Sequence, residues 1–89
     1  MEVIFSDRFL DRVEEFSDYI ALDDIPTAIN WAEEIFDQCR QIKLNPQMGR
    51  MVPEFRRTEM REIIHGNYRL IHEVKTSQID MLTICHISQ

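Results

Sequence analysis

Histidines are the first residues in this chain whose chemistry could serve a site, because imidazole can bind a metal or exchange a proton near neutral pH. All three, His65, His72 and His86, lie in the second half of the 89 residues, where we predict strands. With Cys85 they would supply enough ligands for zinc. Their spacing matches no closed zinc motif, so we predict no metal site. Near an arginine, His86 would instead act as a general acid or base in RNA cleavage.

Arginines are concentrated in the same half of the chain. Five of them lie between positions 50 and 69: Arg50, Arg56, Arg57, Arg61 and Arg69. A strand at 58–65 would place Arg57, Arg61 and His65 on one face, with Arg69 on the next strand. In RNA cleavage without a cofactor, the ribose 2′-hydroxyl attacks the phosphodiester, and Arg61 and Arg69 would stabilise the phosphorane.

The same arginines have a second interpretation, as ion-pair partners of nearby glutamates. The candidates for such pairs are Glu54, Glu59, Glu62 and Glu73. Exposed ion pairs contribute little stability each, whereas surface arginine groups are common where proteins recognise partners. The sequence leaves both interpretations open for the cluster.

Aromatic and sulfur-containing side chains indicate a protein-binding surface as another kind of site. Trp31 lies off the main apolar stripe of its predicted helix, so it belongs either to the edge of the core or to an exposed anchor for another chain. Methionines such as Met60 either fill gaps in the core or form an adaptable interface. The candidate partner-binding residues are Trp31, Arg50, Arg56, Arg57, Met60 and His65.

Charge is distributed unevenly and limits the choice of partner. The net charge is −6; residues 1–47 hold eleven acids and four bases, whereas residues 48–89 hold six bases and five acids. An acidic half repels a phosphate backbone, so we predict no direct nucleic-acid binding except through a partner or the ribosome. The sequence shows no glycine-rich phosphate loop and no nucleophile elbow. We therefore predict no cofactor.

The start of the chain and its cysteines indicate a compartment. Glu2 follows Met1, and no apolar run approaches the length of a membrane span or signal peptide. Cys39 and Cys85 are far apart among apolar neighbours, so we predict two free thiols in a reducing compartment. The expectation is a cytoplasmic protein without membrane contact.

The first half of the chain has the periodicity of a short strand followed by two helices. Residues 2–5 alternate, Ser6 is a typical helix N-cap, and apolar residues then recur every three or four positions. Asp24 is suited to cap a second helix, which ends before Asn45 and Pro46. We predict that Ile29 and Phe36 widen the apolar stripe of this second helix.

The second half changes to strand periodicity. We predict strands at 58–65, 68–75 and 79–87, a turn at Gly66–Asn67, and a possible short strand at Val52. The last strand has apolar residues on both faces, with Ile79, Met81, Cys85 and Ile87 on one and Leu82 and Ile84 on the other. It therefore belongs in the sheet centre or meets a partner. The prediction is one α+β domain over residues 1–89, with order β-α-α-β-β-β and a helical hairpin packed on a mostly antiparallel sheet.

One run of residues resembles a known family. The string P-x-M-G-R-x-V-P-E-F begins at Pro46, and M-R-E-I-I-x-G-N-Y-R-L-I follows and ends at Ile71. Together they resemble the ParE branch of the RelE/ParE superfamily of type II toxins. The resemblance implies a plasmid-stabilising or related toxin–antitoxin pair, in which a cognate antitoxin folds onto the toxin.

The superfamily has two kinds of target. The ParE branch implies inhibition of DNA gyrase by protein contact, and the RelE branch implies cleavage of mRNA in the ribosome. The scarcity of lysine and the acidic charge favour gyrase. If the protein is a nuclease, Arg61, Arg69 and His86 are its candidate catalytic residues. His72 stands where the family often has tyrosine and Gln89 where many members have arginine, so an inactive member is the third alternative.

Overall fold

A computed structural model describes residues 1–87 as two helices packed on one open sheet. The elements, in chain order, are β1 (Glu2–Phe5), α1 (Asp7–Ala21), α2 (Ile25–Leu44), β2 (Arg50–Met51), β3 (Met60–His65), β4 (Tyr68–Val74) and β5 (Gln78–His86). The five strands are arranged in the order β1-β5-β4-β3-β2, with β1 parallel to β5 and every other pair antiparallel. The α+β prediction is confirmed. The short extra strand is at Arg50–Met51 and not at Val52.

The two helices begin where the sequence places their caps. The Ser6 side chain accepts a hydrogen bond from the Phe9 amide at 3.0 Å, and Asp24 accepts one from the Thr27 amide at 3.3 Å. Each bond satisfies an amide that the first helical turn leaves without a partner. Pro26 occupies the first turn of α2, where its missing N–H costs nothing.

The main core lies between the helices and one face of the sheet, the helix-side face. It is formed by buried residues of both helices and of β3, β4 and β5: Phe9, Val13, Trp31, Ile35, Cys39, Ile42, Ile63, Leu70, Ile79, Met81 and Ile84. The opposite face, the distal face, has a smaller cluster of Val52, Met60 and Ile71, with Leu82 and Cys85 packed against it. Strand β5 lies between β1 and β4, so it is an interior strand, next to the central strand β4.

A β-bulge in β5 corrects the predicted faces of that strand. Ile71 pairs with Thr83 and His72 pairs with Met81, so Leu82 is an extra residue. The alternation of side chains between the two sheet faces therefore restarts after Leu82. Ile84 therefore joins Met81 on the helix-side face, and Cys85 joins Leu82 on the distal face, contrary to the prediction.

Ser6 connects this bulge to the start of α1. Its amide donates to the Met81 carbonyl at 3.1 Å, and its hydroxyl donates to the Leu82 carbonyl at 2.8 Å while capping the helix. The turn between β1 and α1 is thereby held against the sheet centre. No helix within residues 1–87 is both long enough and apolar enough to cross a membrane.

Candidate functional site

The strand boundaries decide which arginines can act together. Strand β3 begins at Met60, so Arg57 lies before it and not on its face. Arg61 and His65 do share the helix-side face, because both alternate in phase with the core residue Ile63. Arg69 alternates out of phase with Leu70 and lies on the distal face.

Arg69 is held by two glutamates. Its Nε is 3.0 Å from Oε2 of Glu62, and its Nη2 is 3.3 Å from Oε1 of the same residue. Nη2 also lies 3.0 and 3.1 Å from the two carboxylate oxygens of Glu54. The hydrogen bond to Glu62 is the main reason that the pKa of Arg69 is raised. The Glu54 pKa is lowered, first by its own backbone amide and then by Arg69.

Glu62 is the centre of this arrangement. Its side chain is fully buried, and Nη2 of Arg50 approaches its Oε1 to 3.4 Å. We call Arg50, Glu54, Glu62 and Arg69 the distal ion-pair network. It joins β2, β3, β4 and the segment after β2. A buried carboxylate needs such partners, because an unpaired charge in the interior is costly.

Gly49 allows the network to form. Its backbone has φ +89°, and a Cβ there would lie 2.3 Å from the Glu62 carbonyl oxygen. Only glycine combines that conformation with that close approach. The chain can therefore pass directly beside β3 and place Arg50 next to Glu62. The glycine-arginine pair in the run at Pro46–Ile71 has a structural role.

Two of the remaining arginines of the cluster, Arg57 and Arg61, bind neighbours on the surface. Arg57 Nε lies 2.7 Å from Glu59, and its Nη2 lies 3.3 Å from Glu73. Arg61 Nε donates to the Thr58 carbonyl at 2.9 Å. Arg56 is exposed, and its φ of +52° lies in the left-handed region. The ion-pair interpretation is confirmed for Arg50, Arg57 and Arg69.

His86 is separated from both candidate arginines of the nuclease model, from Arg61 by distance and from Arg69 by the sheet itself. It pairs with Tyr68 at the end of β5, and the two ring centroids are 5.1 Å apart. Arg61 pairs with His72, four residues along β4 from Tyr68, which is about 13 Å at the usual rise per strand residue. Arg69 lies on the opposite face. The fold does not bring Arg61, Arg69 and His86 around one phosphodiester.

Trp31 and Met60 belong to the core. Trp31 is 8% exposed and contacts Phe16 and Tyr68, with ring centroids 6.2 and 5.0 Å away. Met60 is 4% exposed in the distal cluster. The interpretation of Trp31 as an exposed anchor is therefore wrong. Met60 packs with Val52 and Ile71, as expected of a side chain that fills the core. Ile29, predicted to widen the core stripe, is 55% exposed.

Two histidines connect loops and helices to the sheet. The His65 ring bridges to α2: its Nδ1 is 3.2 Å from the Gln38 amide nitrogen, and its Nε2 is 3.3 Å from Glu34. His72 is fully buried, and its Nε2 lies 3.4 Å from the Pro46 carbonyl, to which it donates. Burial, and to a smaller extent the charge of Arg61, lowers the pKa of His72.

The cysteines and acidic groups offer no assembled metal centre in the described chain. Cys39 and Cys85 are free thiols, and burial raises the pKa of Cys39 to about 12. Within residues 1–87, no three histidine, cysteine, aspartate or glutamate side chains are grouped as metal ligands. Gln89, the position where we expect an arginine in related chains, lies outside the described residues.

Three large apolar side chains near the turn between the helices are exposed to solvent. Tyr19 is 72% exposed, Leu22 82% and Ile25 64%. Aspartates 23 and 24 lie in the same turn. Exposed apolar groups rimmed by polar residues are typical of protein-binding surfaces. Sequence analysis did not identify this region, because Tyr19, Leu22 and Ile25 lie outside the apolar stripes of the two predicted helices.

Comparisons with known proteins identify the family and agree with the fold. The family model described as "ParE toxin of type II toxin-antitoxin system, parDE" matches residues 3–89. A solved structure described as "Chromosomal ParDE TA system from P. aeruginosa" superposes with a TM-score of 0.80 at 17% identity, covering 98% of this chain and 96% of that one. No curated protein sequence matches the chain. Because the family model covers nearly all of its length, the chain belongs to the ParE toxin family of type II toxin–antitoxin systems.

Proposed function

We propose that this chain acts in the cytoplasm by binding DNA gyrase through protein contact, and that a cognate antitoxin neutralises it. The observation that supports this proposal is the ion pairing of Arg69. Its guanidinium is bound to Glu62 and Glu54, on the opposite sheet face from His86. An arginine that already neutralises the buried carboxylate of Glu62 is poorly suited to stabilise a phosphorane.

Charge supports the same proposal. The helical half of the protein contains eleven of its sixteen acids, so its field repels nucleic acid. A folded protein partner with basic residues has no such barrier. The exposed apolar side chains near the helical turn fit protein contact as well.

We propose the segment after β2 as one contact. Arg56 is exposed and forms no ion pair within residues 1–87, and the neighbouring Phe55 is 50% exposed. Aromatic and arginine side chains are enriched at interfaces. Arg57 and Arg50 lie nearby but are engaged with glutamates, so we expect Arg56 to contribute more than either to the contact.

The test is inhibition of gyrase supercoiling by the purified chain. We expect inhibition that weakens at least about tenfold for Arg56→Glu and remains unchanged for Arg8→Glu, which makes the same charge change on exposed helix α1. Antitoxin encoded by the neighbouring gene should restore supercoiling. An absence of inhibition at a large molar excess of the folded chain would contradict the proposal.

A ribosome-dependent nuclease is the second candidate, because Tyr68 and His86 are in ring contact at one end of the sheet. That pair could exchange a proton with RNA. Its test is mRNA cleavage on translating ribosomes by the wild type and by a His86→Gln variant. Cleavage that depends on His86, without gyrase inhibition, would replace the first proposal. Growth that continues normally during expression would instead indicate an inactive family member.

A further inference from the structure

The groove between α1 and α2 is an apolar surface that no described part of the chain covers. It has a volume of about 250 Å³. On the α2 side it is lined by Ile25 and Ile29, whose side chains are largely exposed, at 64% and 55%. Exposed aliphatic side chains beside a depression are typical of binding surfaces. The other uncharged residues of the lining are small: Ser17, Ala21, Ala28 and Ala32.

The length of this groove fits the side chains of a partner's helix. The α2 residues that line it run from Ile25 to Ala32, which is two turns and about 10 Å at the usual helical rise. A helix that lies in a groove is anchored by residues at i, i+3 or i+4, and i+7, which span the same length. The small side chains of the lining leave room for such anchors between α1 and α2.

Both rims of the groove are acidic. Asp18 is the charged residue of the lining, Glu14 lies one turn before it on α1, and Glu33 lies one turn after Ile29 on α2. All three are exposed, and none forms an ion pair within residues 1–87. The acid of α1 that is paired there is Glu15, with Arg12. The groove therefore presents unpaired carboxylates on either side of apolar walls.

These carboxylates have a cost in the free chain. Glu14 and Asp18 are four residues apart and therefore neighbours on the surface of α1, where like charges destabilise a helix. Arg12 does not offset them, because it is bound to Glu15. A cationic group placed along this rim would relieve the repulsion and form charge-assisted contacts.

Charge also limits what can occupy the groove. A second copy would bring its own acidic helices against acidic rims, since residues 1–47 hold eleven acids and four bases. Nucleic acid and an anionic membrane surface are repelled for the same reason. A cationic protein segment is not repelled, and an apolar stripe on it would cover Ile25 and Ile29.

We propose that the groove binds a basic amphipathic helix of a partner protein. Leucine-like side chains of that helix enter between Ile29 and the small residues of α1, and lysines or arginines on its two flanks meet Glu14 and Asp18 on one side and Glu33 on the other. The proposal goes beyond the contact at Arg56 and does not depend on the target of the toxin, because its test contains no gyrase.

The test uses a synthetic probe of this chemistry. It is a fluorescein-labelled peptide of about 18 residues, long enough to form a helix, with leucines at helical spacing, lysines on both flanks and alanines elsewhere. A scrambled peptide of the same composition has the same charge but no apolar stripe. Because the contact is small, we expect fluorescence anisotropy to give a dissociation constant of about 50 μM at low salt. The scrambled peptide should bind at least about tenfold more weakly.

Variants of the protein separate the acidic rim from the apolar wall. We expect Glu14→Lys/Asp18→Lys to weaken binding at least about tenfold. Its matched control is Glu2→Lys/Glu34→Lys, which makes the same charge change at exposed positions away from the groove and should have less than about a threefold effect. Ile29→Gln should also weaken binding, whereas Leu44→Gln, at an exposed position at the end of α2, should not.

The location of the bound peptide is measured independently by NMR. Amide shifts of the folded chain on addition of the peptide should be centred on residues 14–21 and 25–33. Shifts centred on the distal face would overturn the proposal, as would equal binding of the scrambled peptide, or equal weakening by the two double variants. Absence of binding at about 500 μM protein, ten times the expected dissociation constant, would overturn it as well. A wild-type dimer that Ile29→Gln dissociates would assign the groove to a second copy instead.

Discussion

Arg69 and Glu62 form a bidentate ion pair on the distal face of the sheet, with Nε–Oε2 and Nη2–Oε1 separations of 3.0 and 3.3 Å. The Glu62 side chain has no solvent exposure. The pair lies on adjacent antiparallel strands and is supplemented by Arg50. Arg69, a candidate for RNA cleavage, and Arg50, a candidate for partner binding, are therefore both part of the internal support of the fold.

Removing the arginine of this pair should strongly destabilise the protein. We expect Arg69→Met to lower the free energy of unfolding by about 3–5 kcal/mol, because it leaves Glu62 buried without its main partner. The double variant Arg69→Met/Glu62→Met should be more stable than Arg69→Met alone. Urea denaturation followed by circular dichroism measures both. The control Arg57→Met removes an exposed arginine and should have a much smaller effect. Equal losses of unfolding free energy for Arg69→Met and Arg57→Met would contradict a stabilising role of the distal ion-pair network.

The two glycines separate two costs of adding a Cβ. At Gly49 the Cβ meets both close packing and an unfavourable backbone conformation, whereas at Gly66 it meets the backbone conformation alone. In Gly49→Ala, the new Cβ would lie 2.3 Å from the Glu62 carbonyl oxygen, in a backbone with φ +89°. In Gly66→Ala, φ is +59°, and no atom lies within 4 Å of the new Cβ. We expect Gly66→Ala to cost about 1 kcal/mol and Gly49→Ala considerably more, because β2 must move away from β3. Thermal unfolding of both variants provides the measurement, and the reverse order would be inconsistent with the structure.

Stability should depend on pH through His72. Burial lowers its pKa in the folded protein below the usual histidine value of 6.5. The unfolded chain therefore binds a proton more readily than the folded one, and stability rises with pH between the two values. The stability that neutral His72 contributes is complete above about pH 6.5. It is lost as the pH falls from there towards the lower pKa of His72 in the folded protein. Denaturation curves between pH 8 and pH 5 measure this slope.

The matched variant for this experiment is His72→Gln. Its side-chain amide can still donate to the Pro46 carbonyl, but it does not titrate. We expect the difference in stability between wild type and variant to change through this pH range. Carboxylates with lowered pKa values, such as Glu54 and Asp80, lose their contribution only at more acidic pH. A difference that stays constant from pH 8 to pH 5 would exclude His72 as the titrating group.

The two thiols should differ in reactivity. Burial raises the pKa of Cys39 to about 12, and its side chain is 3% exposed, so little thiolate is present at pH 8. Cys85 is partly exposed on the distal face. In a Cys85→Ala variant, we expect a thiol reagent to modify Cys39 only as fast as the protein opens. A Cys39→Ala variant should be modified much faster. Similar rates for the two variants would show that Cys39 is accessible in the native state.

The sequence by itself determined the local elements and the family. Helix starts were predicted from Ser6 and Asp24, because capping depends on side chains within three residues of the amides that they satisfy. The turn at Gly66–Asn67 and the order of helices and strands followed from local periodicity. The Pro46–Ile71 run indicated the ParE family, which the family model confirmed over residues 3–89.

Only the tertiary structure decided which residues face each other. A single extra residue at Leu82 reversed the predicted faces of the rest of β5, and nothing in its local pattern signals a bulge that depends on pairing with Ile71 and His72. Arg69 binds Glu54, fifteen positions away, and lies on the opposite face from His86. Ile29 repeats with a helical period but is exposed, because the position of α1 and the sheet sets which flank of α2 is covered. Periodicity is a property of near neighbours, whereas burial and ion pairing depend on distant segments that meet only in the folded chain.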